Sequence, residues 1–94
     1  MTQTDPDDIH LYTTPWVGGT RADAYYGALS SDAFYDRKED LEDAIVRAFT
    51  EVQKQCSLLG GNSIVGVEIT IDPFASLPYV RIVGTGARLV PLFA

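Results

Sequence analysis

Three observations predict a small α+β domain built as strand–helix–strand–strand. An amphipathic stripe runs from about Asp36 to Leu59, two runs rich in Val and Ile follow it, and a weakly alternating run precedes it. At 94 residues the chain suffices for one domain and not two. With 46% hydrophobic and 21% charged residues it belongs among chains that bury a core, not among disordered ones.

Residues 1–19 read as an irregular acidic lead-in, and 20–94 as the single domain. Asp5-Pro6-Asp7-Asp8, Thr14-Pro15 and Gly18-Gly19 are turn signals that interrupt regular structure. From Thr20 to Leu29 the period is two. Ala22, Ala24, Tyr26 and Ala28 share one face, and Arg21, Asp23, Tyr25 and Gly27 share the other. A short connection, Ser30 to Asp36, leads to the helix.

Leu41, Ile45, Ala48, Val52, Cys56 and Leu59 recur at helical steps, with Ala44 and Phe49 widening the stripe. Asp36 and Glu39 have the spacing of a capping box, with Ser31 or Asp32 as the alternative cap of an earlier start that takes in Phe34, and acidic residues crowd the first turns, where the helix dipole favours them. Gly60-Gly61 supplies the left-handed stop. Ser63 to Ile71 reads as a strand with Val65, Val67, Ile69 and Ile71 on one face and Gly66, Glu68 and Thr70 on the other. Asp72-Pro73 ends it. A last strand runs from Tyr79 to Val90, with Gly84-Thr85-Gly86 in its middle marking a bulge or a close approach.

A helix crossing between the first two strands makes them parallel, and a short loop makes the third antiparallel to the second. Inserting the third between the others gives a three-stranded sheet of order 1-3-2 with the helix on one face. The other face, carrying Tyr25 and Glu68 with Gly84, Thr85 and Gly86 nearby, is then left to water together with both edges. Such surfaces are usually paired or blocked, so the chain is expected to associate with copies of itself.

The run from Cys56 to Ile69, Cys-Ser-Leu-Leu-Gly-Gly-Asn-Ser-Ile-Val-Gly-Val-Glu-Ile, resembles the A-x-x-L-G-A-N-A-V-V-G-V stretch of the YbjQ-like proteins. Thr13-Thr14-Pro15 and Val83-Gly-Thr-Gly-Ala87 agree with that family's pattern, and the likeness spans about residues 11–90. The resemblance implies a dodecin-like subunit, assembly as a ring, notably a homopentamer, and the family's label of heavy-metal binding. The connection from Ser30 to Asp36 is shorter than in typical members, which bears on ring size.

Thirteen acidic against seven basic residues give a net charge of −6, and the basic residues are scattered. Neither nucleic acid nor an anionic membrane fits such a surface. No apolar run approaches the roughly 20 residues of a membrane span. The acidic start is unlike a secretory leader, so a cytoplasmic location is the default expectation. Cys56 is the single cysteine and His10 the single histidine. No metal site is expected; His10, Asp7 and Asp8 are the residues that come nearest to one, in a segment that reads first as a solvated tail. No catalytic residue and no cofactor are expected, because any Ser-His-Asp or Cys-His arrangement would have to recruit His10 from outside the regular elements. Gly84-Thr85-Gly86 is not a phosphate loop, since no Lys and no helix follow. Gly60, Gly61, Asn62 and Gly66 serve the helix–strand junction. The expected role is a non-enzymatic, oligomer-forming interaction module. The alternative is a protein binding a metal ion or a planar small molecule at subunit junctions.

Overall fold

A computed structural model describes residues 3–93; residues 1, 2 and 94, the ends of the expected lead-in and domain, lie outside the described residues. The elements are a 3-10 turn at Pro6–Asp8, β1 (His10–Leu11), β2 (Thr20–Phe34), a second 3-10 turn at Lys38–Asp40, α1 (Leu41–Leu59), β3 (Ser63–Asp72) and β4 (Tyr79–Pro91). They form a four-stranded mixed sheet of order β1-β3-β4-β2. The expected three-stranded sheet of order 1-3-2 is therefore corrected. β1 joins β3 in parallel, with His10 opposite Ser63 and Leu11 opposite Ile64. A two-residue strand is too short to show a period, which is why the lead-in read as irregular. Its first residues also dock: Gln3 Nε2 donates to the Ser57 carbonyl at 2.7 Å, and Ser57 Oγ donates to the Thr4 carbonyl.

β2 runs five residues beyond the expected end at Leu29, and the helix starts five residues after Asp36. The polar run Ser30-Ser31-Asp32 resembles a loop in sequence, yet it is ladder. Ser31 is buried and donates to the Ala48 carbonyl of α1 at 2.6 Å. The Tyr35 N–H still donates to the Pro78 carbonyl at 3.1 Å, so the chain leaves the sheet too late for Asp36 to cap a helix. Asp40 takes the N-cap position without a side-chain hydrogen bond. At the other end Gly60, at φ 95°, provides the left-handed stop, and the Gly61 N–H reaches the Cys56 carbonyl at 3.0 Å.

Bulges decide which side chains enter the core. In β2 the register shifts between Ala22 and Ala24 and again between Tyr25 and Gly27. Half-burial accordingly follows even residues up to Tyr26, and full burial follows odd ones from Leu29 to Ala33. In β3 the shift between Val65 and Glu68 centres on Gly66, at φ 63°. Ile64 and Val67 therefore share the core, and Val65 does not join them, contrary to the unbroken alternation expected. The core itself is Leu29, Ala33, Ile64, Val67, Val80 and Ile82 from the sheet under Ala44, Ala48, Val52 and Cys56 of α1, together with Ile9 and Tyr35. No helix among the described residues is long and apolar enough to cross a membrane.

Candidate functional site

α1 packs over β2 and β4 and barely meets β3. Two surfaces are left by that placement: the sheet face opposite α1, on which Val65 and Ala87 are nonetheless buried, and the lower half of β3.

The open face is read from the cross-strand register. Asp32 lies opposite Arg81, and Arg81 opposite Thr70; Phe34 lies opposite Tyr79, and Tyr79 opposite Asp72. Since Val80 and Ile82 point into the core, these neighbours point away from it. Arg81 Nε donates to Asp32 Oδ1 at 2.8 Å, and its guanidinium lies 5.3 Å from the centre of the Tyr79 ring. The hydrogen bond from Arg81 holds the Asp32 carboxyl below the ordinary carboxylate range, outweighing the opposite push of burial. Phe34 meets Tyr79 edge to face at 6.4 Å. Ala28, Ser30 and Thr85 follow along the strands, and Tyr25 stands beyond the bulge at Tyr26. Between Phe34 and Tyr25 the face thus carries the Asp32–Arg81 pair and then Ser30, Val83, Ala28 and Thr85. Tyr25 and Phe34 are 62% and 50% exposed, high values for aromatic rings on a sheet face.

At the lower half of β3, Ile69 and Ile71 face the helix side but extend past α1, and they are 47% and 42% exposed. Beside them is a groove of about 350 Å³ lined by Tyr35, Asp36, Lys38, Leu41, Ile71, Pro73 and Pro78.

The sequence candidates fall into separate places. Tyr25 and Glu68 do share the open face, but they lie opposite Ala87 and Val83. That separates them by about 13 Å along β4 at about 3.3 Å per residue. Thr85 lies between them. Gly84 and Gly86 belong to the opposite side: a Cβ at Gly84 would meet Ile64 Cγ2 at 2.6 Å, and one at Gly86 would meet Leu29 Cδ1 at 3.0 Å. The close approach is thus made by this chain's own core. Asn62 Nδ2 donates to the Leu89 carbonyl at 2.8 Å, and the Leu89 N–H donates to Asn62 Oδ1 at 2.8 Å. Its amide stands in for a strand partner, beside Gly60 and Gly61 at the end of α1.

His10 and Asp8 line a depression of about 400 Å³ with Tyr12, Asn62, Ser63 and Leu89; Asp7 is not in its lining. Among the described residues no three His, Cys, Asp or Glu side chains are grouped to hold a metal ion. Cys56 is buried and donates its S–H to the Ser63 carbonyl at 3.3 Å; burial pushes its thiol pKa up, against the smaller effect of its backbone hydrogen bonds.

No family model matches the chain. Among solved structures it is similar to a protein of unknown function of the DUF74 family from Pediococcus pentosaceus. The two share 17% identity at a TM-score of 0.45, over 86% of this chain and 95% of that one. A likeness at that level is distant and transfers no activity. The description expected from the sequence, a YbjQ-like, heavy-metal-binding homopentamer, is corrected accordingly. What stands is a small domain with a four-stranded mixed sheet and one helix, distantly similar to an uncharacterised protein.

The two α1 side chains that guard the sheet edge were missed in the sequence. Tyr35 N–H points to β4, so Ser30 and Phe34, an odd number of residues away, turn their carbonyls to the outer edge of β2. Gln55 Nε2 donates to the Ser30 carbonyl at 2.9 Å and Arg47 Nη2 to the Phe34 carbonyl at 2.8 Å. Only the polar character of Gln55 and Arg47, set beside the apolar stripe, hinted that they reach across.

Proposed function

We propose that this chain is a non-enzymatic interaction domain that associates with copies of itself through the open sheet face. The observation that carries the reading is the exposure of Tyr25 and Phe34 on the sheet face opposite α1. A two-fold pairing of this face would set an aromatic ring of one copy over the small residues Ala28, Ser30 and Thr85 of the next. The non-enzymatic part is supported by the two side chains best suited to basic or nucleophilic work near neutral pH. Cys56 is buried with its thiol pKa raised, and His10 lies exposed.

Light scattering coupled to size exclusion tests the association. A mass of at least twice 10.3 kDa at micromolar concentration is expected, falling toward 10.3 kDa in Tyr25→Ser with Phe34→Ser. A wild-type protein that stays at 10.3 kDa up to high micromolar concentration overturns it.

A further inference from the structure

The lower half of β3 is a sheet edge of a different kind from the outer edge of β2. Along its upper half the outer side of β3 is taken: the Tyr12 N–H donates to the Ile64 carbonyl at 2.8 Å, the Gly66 N–H to the Thr14 carbonyl at 2.8 Å, and the Val67 N–H to the Tyr12 carbonyl at 2.9 Å. Past Val67 no described residue pairs there. Because backbone groups alternate along a strand, the direction of the Val67 N–H makes Ile69 and Ile71 the residues that present N–H and C=O groups outward. The outer edge of β2 is blunted by its two bulges and by Gln55 and Arg47; among the described residues this edge carries no such guard.

We propose that the edge at Glu68–Asp72 binds an extended peptide segment of a partner protein, with apolar and basic residues in alternation, as a fifth strand of the sheet. Backbone pairing would engage Ile69 and Ile71. Partner side chains turned to the helix side would cover Ile69, Ile71 and the groove beside Leu41. Those turned the other way would lie beside Glu68, Thr70 and Asp72, where basic residues pair with the two carboxylates. Asp72 Oδ1 already accepts from the N–H groups of Phe74 and Ala75 at 3.0 and 3.1 Å, but its charge remains. Lys38 in the groove has Asp36 beside it there, so the acid on β3 is not offset from that side.

A second copy of β3 is a poor occupant of the same edge. Antiparallel pairing centred on Thr70 sets Glu68 opposite Asp72 twice, and like charges directly opposite are destabilising. Centred on Ile69 it places Ile71 against Val67, whose outer side Tyr12 holds. Centred on Ile71 it sets Ile69 against Pro73, which has no N–H to give. Charge and backbone together favour a basic partner segment.

The probe is a fluorescently labelled peptide containing Lys-Val-Thr-Val-Lys, titrated into the full chain beside a control containing Glu-Val-Thr-Val-Glu. The basic peptide is expected to bind at least tenfold more tightly, more weakly as salt rises, and to slow hydrogen exchange at the Ile69 and Ile71 amides. Ile69→Pro removes an outward N–H without touching the ladder to β4 and should abolish binding. Glu68→Lys, at an exposed position, keeps the fold and should shift the preference toward the acidic peptide. Tyr25→Ser should leave the affinity unchanged, which separates this edge from the self-association face. Equal affinity for both peptides, no binding of either at millimolar concentration, or protection of Ile69 and Ile71 that rises with protein concentration alone would each overturn the proposal. The last result would place a second copy on the edge instead.

Discussion

Replacing Gly84 with alanine adds one methyl group where β4 passes beneath β3's largest core side chain. The new Cβ would lie 2.6 Å from Ile64 Cγ2, and 3.3 Å from both the Val65 carbonyl oxygen and Val67 Cγ2. Ile64 is fully buried, and a β-branched side chain in a strand has little freedom at χ1, so it cannot swing aside cheaply. Overpacking of this kind costs about 1–3 kcal/mol. For a domain of this size about 2 kcal/mol corresponds to a fall of roughly 8–16 °C in Tm. Thermal melts followed by circular dichroism at one fixed protein concentration measure it. In an Ile64→Ala background, which removes Cγ2, the Gly84→Ala penalty should largely vanish, a coupling of about 1–2 kcal/mol. Gly66→Ala is the contrasting case. Nothing lies within 4 Å of its added Cβ, and its cost of about 1–2 kcal/mol comes from φ at 63°, independent of Ile64. A Gly84→Ala protein that melts within about 2 °C of the parent, or a penalty unchanged by Ile64→Ala, would refute the close-packing argument.

Three further outcomes are expected. The Asp32 carboxyl has a lowered pKa in the folded chain, so what it adds to stability is present above its unfolded pKa and is lost as pH falls through the folded value. Asp32→Asn should therefore flatten the acid limb of a stability–pH curve slightly, the pair being half-exposed, and an unchanged limb would contradict it. Cys56 should resist a thiol reagent in the native state and react at the rate of unfolding; fast labelling under native conditions would show the site to be open. Gln55→Ala with Arg47→Ala uncaps the β2 edge and should promote slow edge-to-edge aggregation, read as rising light scattering on incubation at 37 °C; a stable baseline would show these caps to be dispensable.

Much of α1 was legible in the sequence because its stripe runs over many turns, so the period is sampled repeatedly. Ala44, Ala48, Val52 and Cys56 are buried as their spacing requires, and Gly60 stops the helix as a left-handed residue must. The start was not legible. A polar strand end and a helix start use the same residue types, and a hydrogen bond from Tyr35 to distant Pro78 chose between them. The candidate site was only half legible. Tyr25 and Glu68 reach the open face as their alternation suggested, whereas Gly84 and Gly86 turn to the core.

The period of apolar residues by itself determined that there is one helix followed by two long strands, since burial of one face is a local demand repeated along each element. Only tertiary structure decided the rest. Bulges at Tyr26 and Gly66 reverse which side chains face inward. A one-residue slip flips every later side chain of a strand, and the apolar period alone does not say where it falls. Likewise Ile69 and Ile71 carry the pattern of core residues, yet they stand half-exposed because α1 spans β2 and β4 and leaves the lower half of β3 uncovered.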